Sequence, residues 1–316
     1  MRRNAVVVFL GLVGWLFVTA APAGALANAP AYPQDFPDPS VLVSQGTYWA
    51  YSTGSGGRNL QVMSSSDLAH WPATPSDPLP VLPAWASVGL TWAPSVVELD
   101  GRYLMYYTVR QTASARQCVS VASASSPAGP FTDASTGPLV CQLERFGSID
   151  PSVFSSGTAR YLLWKSEDNA QGGRTHLWAA RLSSDGTALV GPTRRLLDQS
   201  AGWQAPSMEG PEMVANGSAY YLFYGAGDWS SATAGIGYAV CSSPLGPCVD
   251  RSVTRPWLAA RPGASGPSGP AVFRDLSGVT RLAYHAWPGA VGYENGGVRA
   301  LFVNRLSFSA GRPTLS

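Results

Sequence analysis

Two carboxylates directly precede prolines in closely similar surroundings, Asp38 in FPDPSVL and Asp150 in SIDPSVF, and a third, Glu209 in EGPEM, stands one place earlier than theirs. The same proline motif recurs without an acid at Ala93-Pro94 and Gly269-Pro270. The five prolines fall at 39, 94, 151, 211 and 270, so the motif returns every 55 to 60 residues. If the repeats close into a ring, equivalent positions face one axis and the three acids share one small pit. Like charges gathered away from water raise at least one pKa. A protonated carboxyl beside an ionised one is the equipment for hydrolysing a glycosidic bond, one donating to the leaving oxygen and the other activating water. Asp before Pro also starts turns, but three repeat-equivalent acids favour the chemical reading.

The elements that must carry these acids are strands. DPSVLVSQGTYWAYST from Asp38, APSVVELDGRYLMYYT from Ala93 and DPSVFSSGTARYLLWK from Asp150 each place two alternating apolar runs around a tight turn. GPEMVANGSAYYLFYG from Gly210 and GPAVFRDLSGVTRLAYHAW from Gly269 do the same. Asp-Gly at 100–101 and Asn-Gly at 216–217 are hairpin signals. Shorter strands such as CVSVASASS, HLWAARLSS and IGYAVCSSP follow, and then Gly/Pro/Ser-rich links. Five such units of about 57 residues predict an all-β, single-domain, five-bladed β-propeller over residues 28–316. RALFVNRLSF is expected to complete the ring beside the start of the mature chain.

Composition agrees. Charged residues are 13% of 316, about half the usual ~25%, while aromatics reach 11%, which supplies a large core and excludes disorder. Lys plus Arg number 21 against 19 acids, and the cations are scattered singly. No nucleic-acid partner is expected from such a surface. Arg2 and Arg3, the apolar run from Ala5 to Ala20 and Ala25-Leu26-Ala27 read as a secretory signal peptide over residues 1–27. The protein is therefore expected to be secreted, monomeric and without a stable membrane span once the signal is removed. Four cysteines allow three pairings in an oxidising compartment, of which Cys118–Cys141 and Cys241–Cys248 are favoured.

FPDPSVL, SSSDLAHW, WAPSVVELDGRYLMYYT, SIDPSVF, EGPEMVANGSAYYLFY and AYHAW, in this order, resemble glycoside hydrolase family 43 from about Asp35 to Pro313. The resemblance implies a five-bladed propeller that hydrolyses arabinose- or xylose-containing polysaccharides with inversion, arabinofuranosyl linkages first. It implies Asp38 as general base, Asp150 as the residue that tunes and orients, and Glu209 as general acid. Inversion needs room for a water, hence Asp38 and Glu209 carboxyls ~6.5–9.5 Å apart. Glu212, three residues after Glu209, competes for the acid role but is out of phase on a strand. Phe36, Trp92 and Trp203 are candidate sugar contacts, with Trp229 and Trp287 as more distant ones. No cofactor is needed for the chemistry. The resemblance also implies a structural Ca²⁺ or Na⁺ in the central channel beside His285, with waters as its main other ligands; a buried, hydrogen-bonded His285 with no ion is the alternative.

Overall fold

Why the second strand of each repeat is almost wholly apolar becomes clear from what lies on its two sides. Along Arg102–Gln111, Tyr103, Met105, Tyr107 and Val109 turn towards the preceding blade, whereas Leu104 and Tyr106 turn towards the following one. A strand with period-2 side chains and both faces covered has no polar face to show. The same division holds for Ala219–Ala226, with Leu222, Tyr224 and Ala226 on one side and Tyr221 and Phe223 on the other.

The computed structural model describes Met1, Leu26 and residues 29–316; the expected signal segment lies almost entirely outside the described residues. Blade one holds β1 (Ser40–Ser44), β2 (Thr47–Thr53) and β3 (Leu60–Ser65). Blade two holds β4 (Ala86–Leu99), β5 (Arg102–Gln111) and β6 (Arg116–Ala124). Blade three holds β7 (Ser148–Ser156), β8 (Ala159–Ser166), β9 (His176–Leu182) and β10 (Leu189–Asp198). Blade four holds β11 (Met208–Asn216), β12 (Ala219–Ala226), β13 (Gly235–Cys241) and β14 (Cys248–Asp250). Blade five holds β15 (Ser265–Arg274), β16 (Thr280–Trp287), β17 (Ala300–Ser309) and β18 (Arg312–Leu315). Each is an antiparallel meander, with fourth strands in blades one and two reduced to single bridges such as Val62 with Ser76 and Ser123 with Thr132.

The core is not central. Five apolar clusters fill the five wedges between neighbouring blades, which leaves the axis to polar groups. The inner strands touch in cyclic order β1, β4, β7, β11, β15 and back to β1. Closure comes from the N-terminal segment, where Tyr32 bridges Leu301 of β17 and the Phe36 amide donates to the Arg299 carbonyl at 2.9 Å. The β4–β5 turn has Asp100 at φ 50° and Gly101 at φ 76°, the left-handed pair that a two-residue hairpin requires. Both favoured disulfides are present, Cys118–Cys141 fastening blade two and Cys241–Cys248 joining β13 to β14. Among the described residues no helix is long and apolar enough to cross a membrane.

Candidate active site

Every blade presents the same local device at the axis. Asp38, Ala93, Asp150, Gly210 and Gly269 all adopt φ between 46° and 60°. In β4, β7, β11 and β15 the register gains one residue across the following proline, as between Ile149 opposite Lys165 and Ser152 opposite Leu163. This is a β-bulge whose first residue is left-handed. Proline, which cannot donate to a ladder, is tolerated there. The bulge re-aims the residue before proline out of the strand plane, and where that residue is Asp a carboxyl reaches the channel mouth. In blade four the left-handed position is glycine and the acid precedes it, as Glu209.

Amide hydrogen bonds pin blade to blade at this level. Thr53 of β2 donates its hydroxyl to Asp38 Oδ2 at 2.6 Å and accepts the Ala93 amide at 2.9 Å. Thr108 of β5 accepts the Asp150 amide at 3.0 Å. Lys165 holds the matching place on β8 and has no acceptor, so the Gly210 amide donates to Asp150 Oδ2 instead, at 3.0 Å. His285 of β16 accepts the Asp38 amide on Nδ1 at 2.9 Å. Asp150 therefore fastens blade three to blade four as well as carrying a carboxyl.

These groups open into a funnel of about 710 Å³ lined from all five blades, with Asp38, Asp150, Glu209, Trp92, Lys165 and Arg299 on its wall. Their charges are arranged unequally. Burial alone pushes the Asp38 carboxyl up, but the Arg299 guanidinium 3.4 Å away and the Thr53 hydroxyl outweigh it and hold the carboxyl below its ordinary range. Asp38 is thus ionised. Asp150 is raised well above the usual range, first by burial and then by Glu209; Glu209 is raised by burial, against the pull of Lys165. Both carboxyls, coupled to each other, therefore hold a proton more tightly than a free carboxylate does.

Lys165 is the only lysine in the chain, and it is 1% exposed. Its Nζ lies 2.8 Å from Glu167 Oε1 and 3.8 Å from Glu209 Oε2. Its charge offsets three neighbouring carboxylates. Lys165→Met should move the alkaline limb of kcat/KM to higher pH, since Lys165 pulls the Asp150 and Glu209 carboxyls down and without it they hold their protons more tightly. The acid limb, set by Asp38, should stay where it is. A pH–rate profile of wild type and variant measures both limbs.

Glu212 lies deeper along the axis. It lines a narrow chamber of about 50 Å³ that Asp38, Asp150 and Glu209 also border, but it does not line the wider funnel. Burial pushes its carboxyl up to about 8, although its Oε1 accepts the Val272 amide at 3.0 Å. The folded protein therefore holds a proton that the unfolded chain releases near its ordinary pKa of about 4.3, so stability declines as pH rises from about 4 and levels off above about 8. Glu212→Gln removes that decline. Thermal unfolding should give similar stability for the two proteins at pH 4 and a variant more stable by about 5 kcal/mol at pH 9, the gap between about 4.3 and about 8 at about 1.4 kcal/mol per unit.

Of the aromatic residues expected at the sugar, Trp92 lines the funnel. Phe36 does not. It is 0% exposed and packs edge-on to Tyr32 in the wedge between blades five and one. Trp203 also lies away from the funnel, stacked on Tyr224 with its Nε1–H donated to the Ser252 carbonyl at 2.7 Å. Trp287 is fully buried, whereas Trp229 is 44% exposed at the rim with Arg299 5.0 Å from its ring centre. Sequence reasoning missed Arg299, Lys165 and Tyr293, whose hydroxyl accepts from Arg299 Nε and donates to Asp35.

His285 does not fit the role of cation ligand. Burial, with Arg299 nearby, lowers its pKa to about 3, so the ring is neutral. The lone pair on Nδ1 takes the Asp38 amide, which puts the ring proton on Nε2 and leaves no lone pair for an ion. Nor do three or more His, Cys, Asp or Glu side chains gather as a metal site among the described residues. The ring positions the Asp38 backbone.

Bond cleavage between sugars needs an ionised carboxylate to raise a water's nucleophilicity and a proton held ready for the leaving oxygen. Such groups, held around the axis of a five-bladed propeller, define a glycoside hydrolase. The chain belongs to the glycosyl hydrolases family 43, whose family model matches residues 27–313. It is 30% identical over 304 residues to the "Probable arabinan endo-1,5-alpha-L-arabinosidase A" of Neosartorya fischeri, covering 88% of this chain and 90% of that protein. It is 26% identical to a β-D-galactofuranosidase of Aspergillus niger, covering 70% and 65% respectively. Among solved structures, a thermostable family-43 glycoside hydrolase superposes with a TM-score of 0.80 at 25% identity, over 93% of this chain and 95% of that one.

Proposed function

We propose that the protein is a secreted, inverting glycosidase that cleaves arabinofuranosyl linkages within linear arabinan. The observation that carries the mechanism is the opposite tuning of carboxyls on one funnel: Asp38 is shifted down by Arg299 and Thr53, whereas Asp150 and Glu209 are shifted up by burial. Asp38 takes a proton from water as its oxygen attacks the anomeric carbon. Glu209 gives its proton to the departing oxygen, and Asp150 tunes that proton's affinity while orienting the sugar. Single displacement requires about 6.5–9.5 Å between the Asp38 and Glu209 carboxyls. The arabinan substrate is supported by the relatives named as arabinan endo-1,5-α-L-arabinosidases, aligned along most of the chain. An open funnel with Trp92 and the exposed Trp229 on its wall suits a chain of several sugars. Export is supported by the two disulfides.

The test is proton NMR of the first products from linear arabinan. Oligosaccharides whose new reducing ends start in the β-configuration, opposite to the α-linkage cut, are expected. First products in the α-configuration would replace inversion with double displacement. Turnover of xylo-oligosaccharides but not arabinan would move the specificity to β-xylosyl linkages.

A further inference from the structure

The largest cavity described, about 870 Å³, is not the funnel but a groove between blades four and five, and the two share no lining residue. Its position follows from strand direction. Each inner strand leaves the funnel at its N-terminal end, the second strand returns and the third leaves again, so the β17–β18 turn at Ala310-Gly311 lies at the far end of the molecule. That turn borders the groove, together with Tyr221, Tyr238 and the stretch from Arg251 to Ala259. The groove is a separate site.

Arg251, Arg255 and Arg312 line it and are exposed; no acid does. None of the three is in an ion pair among the described residues. Arg251 and Arg255 stand four residues apart and folding brings Arg312 to them, in a protein whose net charge is only +2. Half-buried Trp257 and buried Tyr238 meet edge to face in its floor. Trp257 has its Nε1–H committed to the Pro313 carbonyl at 2.9 Å, so what the indole offers a ligand is ring surface. Ring surface suits the C–H face of a sugar, and planar guanidinium forks suit carboxylates.

We propose that this groove is a second carbohydrate site, which binds a polysaccharide bearing carboxylates and holds the enzyme on it while the funnel works on neutral chains. A single-stranded nucleic acid would also meet arginine and aromatic rings, but it asks for a longer cationic track with successive stacking rings. Two disulfides place the protein in an oxidising compartment, and its family acts on glycans.

Retention on immobilised polygalacturonate, beside its fully methyl-esterified form and polyglutamate, tests this. Wild type should bind the free acid, release with salt, and bind the ester and polyglutamate at least about ten-fold more weakly. Arg251→Gln, Arg255→Gln and Arg312→Gln combined should weaken binding to the acid about ten-fold or more, the sum of three exposed charge contacts. Hydrolysis of linear arabinan by this variant should not change; if wild type cleaves no arabinan, the substrate reading of the funnel fails while the groove is still judged by retention. A control with Arg174→Gln, Arg181→Gln and Arg194→Gln, exposed on blade three, loses the same charge and should bind as wild type. Equal retention on polyglutamate, or equal loss in the control, would overturn the site.

Discussion

Glu209→Ala should cut turnover of arabinan by about 10²–10⁴-fold, the usual contribution of general acid catalysis. The loss should depend on the leaving group. A sugar alkoxide cannot depart unprotonated, whereas a dinitrophenolate is stable without a proton, so dinitrophenyl arabinofuranoside should be hydrolysed with a far smaller loss. The alkaline limb should also vanish from the profile on the activated substrate. Glu209 is held by the Ser207 hydroxyl at 3.0 Å and by Lys165, neither of which anchors the fold, so thermal unfolding of the variant should stay close to wild type. Equal losses on both substrates would remove Glu209 from the acid role.

Asp38→Asn should lose a similar factor, about 10²–10⁴-fold, but uniformly across leaving groups, because attack by water needs a base whatever departs. The substitution is mild structurally. The amide oxygen can still accept from Thr53, and the pin to His285 uses the backbone N–H, which is unchanged. Activity within ten-fold of wild type would show that another group deprotonates the water. The leaving-group dependence of the two variants together separates base from acid without reference to stereochemistry.

Blade number, strand order and the three acids were legible because a repeat of about 57 residues makes equivalence visible before any geometry is known. The tuning of those acids was partly legible too. The five segments as aligned carry Thr53, Thr108, Lys165, Gly225 and His285 at matching places near the end of the second strand, and a lone lysine in that series marks a position where charge was wanted. What could not be read was the effect of the bulge. On a regular strand Phe36 shares a side with Asp38, but the left-handed turn at Asp38 breaks the alternation and Phe36 goes into a wedge. Arg299 comes from the opposite end of the chain and belongs to no repeat motif, so only closure brings it to Asp38. His285 was legible as a residue of the channel, yet its role depends on which nitrogen meets which amide.

The Tyr32–Leu301 bridge and the contacts of Asp38 with His285 and Arg299 span 247 or more residues. During synthesis the segment that bears the water-activating carboxylate thus waits for its blade-five partners, His285 and Arg299, until those strands emerge. A polypeptide halted after four blades would have Asp150 and Glu209 in place yet an Asp38 without the Arg299 and His285 that set and position it, so the ability to cut glycans arrives with the final strands. The ring works as a built-in check that translation has run its course.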